Sequence, residues 1–223
     1  SSDLFGVTRG RFYVEDKVNT IDYKQSELLV IGEKEFSVGV QRFLEYVSEK
    51  GLKKGLILST TNKDVRYLNK LGSIEGYKVI TNIEEFEETD EKSILVGSRA
   101  LFQGVDILGL EFVGLNKIPF PTYDKEYQAR QRYLNEVARM NTWYQFTIPE
   151  VKNTITQATG RLWRRPGDKG IIGIFDERLI NGKFNYLINE IKDTRRGINI
   201  NIFESDIEET FDKLEEIDEI VEE

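Results

Sequence analysis

Short apolar runs of four to six residues, each closed by glycine, hydroxyl or proline and followed by a helical stripe, recur along most of this chain. That alternation restricts it to one broad class of fold. Leu28–Ile31 stops at Gly32 and precedes Phe36–Lys50, where Val40, Phe43, Leu44 and Val47 fall on one helical face. Gly55–Leu58 runs into Ser59, Thr60, Thr61 and Asn62, whose side chains suit the first turn of a helix carrying Val65, Leu68 and Leu71. Further strands are predicted at Tyr77–Ile80, Ser93–Val96, Phe112–Ile118 and Gly170–Phe175. Helices are predicted at Lys125–Met140, Pro149–Arg165, Asn185–Lys192 and Ile207–Val221. Strands this short, spaced by helices, predict an α/β fold with a mainly parallel sheet.

Composition matters mainly through what it removes. The 223 residues include no cysteine and no histidine, which excludes disulfides, thiolate catalysis, Ser-His-Asp chemistry and His- or Cys-ligated metals. Any catalysis must use carboxylates, Lys or Arg, hydroxyls, or groups supplied by a partner. The net charge of −8 argues against coating nucleic acid through a bulk positive field. Eleven acids and one lysine lie between Glu204 and Glu223, however, so residues 1–203 carry 30 basic and 28 acidic side chains. The body is nearly neutral and has room for a local basic groove. No apolar run approaches the roughly 18 residues of a membrane span, and no signal-like leader is visible, so a cytosolic protein is expected, with no membrane partner.

The segment from Gln157 to Gly170 concentrates the chemistry. Gln157, Arg161 and Arg164 stand at i, i+4 and i+7, which on a continuous helix places them on one face. Pro166-Gly167 is the predicted stop, and the apolar run Ile171–Phe175 is the strand that follows. Two guanidiniums on one face suit a multiply charged anion such as a nucleoside triphosphate; a solvated basic face is the plain alternative.

Taken in order, several segments resemble the second RecA-like motor domain of superfamily 2 helicases of the DinG/XPD-like branch. Gly97 to Gly109 is similar to motif V, with Gly104 and Asp106 as its Gly-x-Asp. Ile118-Pro-Phe-Pro121 resembles the element after it, and Gln157-x-x-Gly-Arg-x-x-Arg164 resembles motif VI, with Asp168-x-Gly170 and Asp176-x-Arg178 as its tail. Leu56 to Thr60 resembles motif IV, and Ile21 to Gln25 the element that opens the domain, with isoleucine in place of the usual phenylalanine. Trp163 also departs from the pattern, where isoleucine is usual. The likeness covers residues from about 20 to 180. No Gly-x-x-x-x-Gly-Lys-[Ser/Thr] loop is present, and the Asp-Glu-x-His magnesium motif is impossible without histidine.

The resemblance implies a RecA-like three-layer α/β domain, a mainly parallel sheet flanked by helices. Its core would span about residues 20–200, with 204–223 as an acidic amphipathic helix or tail. It implies the C-terminal half of an ATP-dependent DNA helicase, inactive without a first RecA-like domain on the same or a separate chain. ATP and Mg²⁺ would be bound mainly by that first domain. Arg161 and Arg164 would be arginine fingers, Gln157 would face a phosphate, the lytic water or a facing carboxylate, and Gly104, Asp106 and Gly160 would line the nucleotide side. Asp106 would order Arg161 or Arg164 by ion pairing, or coordinate magnesium through water, and Gly160 would permit close approach of another backbone or simply be a packing glycine. Single-stranded DNA would be met by Ser59, Thr60, Thr61, Arg99, Phe102 and Gln103, with Arg130, Arg132, Arg139, Tyr127 and Tyr133 as a flanking basic-aromatic helix. The alternative is a non-catalytic RecA-like module that binds protein or nucleic acid. A nuclease fits less well, because Asp168 and Asp176 are separated by a buried strand.

Overall fold

The structure, a computed structural model, describes residues 22–98, 101, 106–164, 167–182 and 184–204. Eight strands are seen: β1 (Glu27–Gly32), β2 (Lys54–Ser59), β3 (Ser73–Ile74), β4 (Tyr77–Ile80), β5 (Ser93–Gly97), β6 (Phe112–Asn116), β7 (Ile171–Phe175) and β8 (Asn199–Glu204). They form one sheet in the order β3-β4-β5-β2-β6-β7-β1-β8, in which only β3 with β4 is antiparallel. Parallel neighbours require crossovers. The helices are α1 (Phe36–Glu49), α2 (Asn62–Leu71), α3 (Ile83–Glu88), α4 (Lys125–Arg132), α5 (Ile148–Thr159), α6 (Glu177–Ile180) and α7 (Tyr186–Thr194).

Successive strand residues point to opposite faces, and both faces are covered. Leu28, Val30, Leu56, Leu58, Ile172 and Ile174 share one core with Val151 and Ile155 of α5 and Leu187 and Ile191 of α7. Leu29, Ile31, Ile57, Ile171 and Phe175 share the other with Val40, Phe43, Leu44 and Val47 of α1. The result is the expected helix–sheet–helix sandwich. Phe43 lies low over the sheet because its neighbours there are glycines. Gly114 of β6 and Gly173 of β7 are register partners, and a Cβ on Gly173 would come within 2.7 Å of the Phe43 ring.

The predicted strands are all present, and two more appear. β3 is a two-residue antiparallel strand held by a tight turn at Glu75 and Gly76, whose φ angles are 49° and 71°. β8 is an edge strand whose alternating Asn-Ile pattern reflects exposure rather than burial. α3 was not expected either, since only Phe86 of its six residues is buried.

Two predicted helices end early. The helix expected over Lys125–Met140 is α4, then a π-helical turn at Tyr133–Val137 and a reversal in which Arg139 has φ 52°. A second π-helical segment, Trp143–Thr147, leads into α5. The helix expected to reach Arg165 instead stops at Thr159; Gly160–Leu162 tightens to a 3-10 turn and Trp163 is extended, with φ −124° and ψ 94°. Its side chain is what turns the chain. Trp163 is buried, its indole N–H donates to Ser26 Oγ at 2.9 Å, and Tyr23 meets its ring edge-on at 5.1 Å. Gln157, Arg161 and Arg164 therefore do not share one helical face. The acidic segment from 205 onward, including the helix predicted at Ile207–Val221, lies outside the described residues.

Candidate functional site

Because the strands run parallel, the sheet has two distinct ends, and polar residues gather at both. At the amino end, Ser26 just before β1 accepts hydrogen bonds from Trp163 Nε1 and from the Gly170 N–H at 3.3 Å. Gly170 is needed there, since a Cβ would sit 3.0 Å from the Glu111 carbonyl oxygen. Arg164 forms an ion pair with Asp106, donates from Nη2 to the Ile107 carbonyl at 3.1 Å, and its own backbone N–H donates to Asp168 at 2.7 Å. The structure thus unites the acid of one motif with an arginine of the next, 58 positions apart in sequence. Asp106 is 75% exposed in its side chain, so the pair is worth about 1 kcal/mol or less to stability.

Arg161 differs from Arg164. It is half-buried, Nη1 is sealed from solvent, and no described residue accepts a hydrogen bond from that nitrogen. Burial pushes its pKa below the usual guanidinium range. Gln157 is exposed on the last turn of α5. Gly160 has ordinary helical dihedrals, φ −62° and ψ −13°, and a Cβ there would meet nothing within 4 Å. Close backbone approach within this chain is therefore not its role.

One residue of this end escaped sequence reasoning. Arg195, just past α7, is 5% exposed; Nη2 donates to Thr159 Oγ1 at 2.6 Å, and the guanidinium carbon lies 5.2 Å from the Trp163 ring centroid. No carboxylate faces it among the described residues, and burial lowers its pKa. Only its position in a short loop between apolar runs, in Thr194-Arg-Arg-Gly197, marks it in the sequence.

At the carboxyl end the polar residues serve the fold. Ser59 is fully buried, donates to Asp64 Oδ2 at 2.7 Å, and accepts from the Thr61 N–H at 3.0 Å and Asn116 Nδ2 at 3.2 Å. Thr61 caps α2, with its hydroxyl bonded to Asp64. Ser59 is thus withdrawn as a direct nucleic-acid contact, because no surface reaches its hydroxyl. Thr60 is half-buried and Thr61 exposed. Asp176, also buried, accepts from the Ile118 N–H at 2.8 Å and clasps Arg178 through Nε and Nη2. Burial pushes the Asp176 carboxyl up, but hydrogen bonds from Arg178 and two backbone amides outweigh it and hold the group below the usual carboxylate range. Arg178 lies over Phe120 and Phe184, which fixes the Ile118-Pro-Phe-Pro segment.

Arg99, Phe102, Gln103 and Gly104 lie outside the described residues. Their neighbours bracket them: Gly97 ends β5 at the carboxyl end, with Leu101 packed so closely that a Cβ on Gly97 would lie 2.0 Å from it, while Asp106 stands at the amino end. The basic-aromatic helix is partly consumed internally. Arg130 pairs with Glu126 at 3.2 Å and covers the Phe146 ring, and the Tyr127 hydroxyl meets Thr147 Oγ1 at 2.6 Å. Tyr133 stays exposed, as do Arg132 and Arg139. Among the described residues no three acidic side chains gather to hold a metal, and no helix is long and apolar enough to cross a membrane.

A mostly parallel, helix-covered sheet with paired motifs at its amino end defines a RecA-like helicase domain. Solved structures agree on the fold: an XPD helicase aligns over 80% of this chain and 35% of its own, with TM-score 0.56 and 14% identity. An apo XPD structure aligns over 85% and 42%, with TM-score 0.59 and 13% identity. Residues 39–194 match the helicase C-terminal domain family, and the chain belongs to that family. A Staphylococcus epidermidis protein named 3′-5′ exonuclease DinG is 28% identical over 199 residues, 82% of this chain and 21% of that protein. A Staphylococcus aureus protein of the same name is 29% identical over 157 residues, 64% of this chain and 17% of that protein. The chain thus spans about one-fifth of the length of these relatives.

Proposed function

We propose that this chain is the second motor lobe of an ATP-dependent DNA helicase and completes an ATP site whose other wall is a first RecA-like lobe. The observation that carries this reading is the juxtaposition at the amino end of the sheet: Arg164 paired with solvent-facing Asp106, and half-buried Arg161 on the turn just before it. An arginine only half covered by its own chain still offers charged donors to a phosphoryl oxygen. Beside it, Gly160 leaves open space on the chain's own surface, which a docking lobe can fill. Arg164, steered by Asp106 and Ile107, supplies the second positive charge, and exposed Gln157 orients the lytic water or a phosphate.

Phosphoryl transfer is accelerated mostly by positioning and electrostatics, so arginines supplied across an interface suffice as this lobe's contribution. Mg²⁺ is assigned to the first lobe. Single-stranded DNA runs along the carboxyl end, met by Thr60 and Thr61 and by Arg99, Phe102 and Gln103. The exonuclease named in the relatives is a property of much longer proteins and is not assigned to this chain.

The test is complementation. DNA-stimulated ATP hydrolysis is measured for the chain alone, for the first lobe alone and for both together. Turnover is expected only together, and substantial turnover by the chain alone would refute the division of the site.

A further inference from the structure

The turn that carries Arg161 is held at both ends by one cation. Thr159 is the last residue of α5, Gly160–Leu162 form the 3-10 turn, and Trp163 is the first residue beyond it. Arg195 donates to the Thr159 hydroxyl at 2.6 Å and lies against the Trp163 ring at 5.2 Å, so it touches the residues on either side of the turn. Thr159 is itself fixed, with its hydroxyl donating to the Ile155 carbonyl at 2.7 Å. Trp163 is fixed from its other edges by Ser26 and Tyr23. A guanidinium at 5% exposure with no carboxylate partner among the described residues is expensive for a purely structural clasp, which an apolar side chain would serve better. Its position at the C-terminal end of α7, where Arg195 N–H bonds the Ile191 carbonyl, offsets part of that cost.

From this arrangement we infer that Arg195 is a positioning residue for ATP turnover: by gripping Thr159 and Trp163 it fixes the turn from which Arg161 projects. The inference rests on the reading of Arg161 as the arginine that meets the triphosphate. Arg195 touches no reacting atom; it acts through the backbone geometry of 160–162.

The experiment compares Arg195→Met, Arg161→Ala and the double variant in the helicase assembled with its first lobe, measuring kcat, KM for ATP and melting temperature. Arg195→Met is expected to keep the fold and KM while kcat falls by about 10²-fold, the scale of a misplaced catalytic group. In the double variant the losses should not multiply, because both remove the same contribution. Should Arg195→Met not fold, Thr159→Val exchanges the hydroxyl for a methyl group and should lower kcat in the same pattern, with Thr159→Ser, which keeps the hydroxyl, retaining it. Wild-type kcat in Arg195→Met while Arg161→Ala is inactive would overturn this inference alone. Losses that multiply would also overturn it, marking Arg195 as a general stabiliser. Wild-type turnover in Arg161→Ala would remove the reading of Arg161 itself, and this inference with it.

Discussion

At the carboxyl end of the strands, Ser59, Thr61, Asp64 and Asn116 bond to one another, and Asp176 holds Arg178 and the Ile118 amide. In that first network the Asn116 carbonyl oxygen is buried with no donor among the described residues. At the amino end, one Arg161 guanidinium nitrogen has no acceptor among the described residues, the Arg164–Asp106 pair faces solvent, and Gly160 borders open space. In open parallel sheets ligands usually gather at the carboxyl ends of the strands. Here that end has spent most of its polar capacity on holding the fold, while the opposite end has charge in reserve. Residues of similar type can therefore be sorted by whether their bonding is closed within the chain.

The largest effect expected from this contrast is at Arg161. In the assembled helicase, Arg161→Ala should lower ATP turnover by about 10³–10⁵-fold while leaving the melting temperature of the chain unchanged or raised. Arg161→Lys should not rescue it, because an ammonium lacks the planar fork. Steady-state kinetics beside thermal melting decides the matter. A variant that melts lower and turns over normally would make Arg161 a member of the closed class.

Asp176 should behave in the opposite way. Removing a buried carboxylate that holds a charged partner and a backbone amide, as in Asp176→Ala, should cost about 3 kcal/mol of stability, read by urea unfolding, with little change in turnover per folded molecule. The sign with pH follows from its lowered pKa. Its contribution is complete above the unfolded carboxylate value of about 3.9 and is lost as pH falls through the lower folded value. The difference in stability between wild type and Asp176→Ala should thus be flat at neutral pH and shrink only in strong acid.

How much of this was legible in the sequence depended on whether local pattern or distant contact decided the outcome. The central strands were readable because burial on both faces leaves uninterrupted apolar runs such as Ile171–Phe175. β8 was not, because an exposed edge alternates Asn with Ile and looks polar. Motif order located Asp106, Arg161 and Arg164, and Asp106 was expected to order one of the arginines. The i, i+4, i+7 geometry failed because Trp163, the family-atypical residue, is drawn into a pocket built by Tyr23 and Ser26 some 137 positions away in sequence. Arg195 was invisible for the same reason: nothing near it in sequence announces a bond to Thr159. The helix start itself was legible, with Thr61 as its cap, but Ser59 is the last residue of β2 and its full burial depends on Asn116 and the neighbouring strand.

Ser59 gives the next, smaller test. Ser59→Ala leaves Asp64 and Asn116 short of a partner inside the fold and should cost about 1–3 kcal/mol. Affinity for single-stranded DNA and its salt dependence should not move, since the hydroxyl never reaches the surface. A weaker salt slope in this variant would show that the carboxyl end opens when DNA binds, and the closed class would then lose its clearest member.

The smallest effect is also the sharpest discriminator between a turn glycine and an interface glycine. Gly160 sits at right-handed helical dihedrals that alanine accepts, with nothing to strike. In the chain alone, Gly160→Ala should therefore stabilise by about 0.4–1 kcal/mol through the unfolded state. In the assembled helicase the same methyl group would occupy the space into which the first lobe is proposed to pack, so turnover should fall even as the isolated chain melts higher. The two readouts moving in opposite directions is the expected result. A stabilised chain with unimpaired turnover would mean that the open space at the amino end is plain solvent, and would confine the proposed lobe contact to the side chains of Arg161 and Arg164.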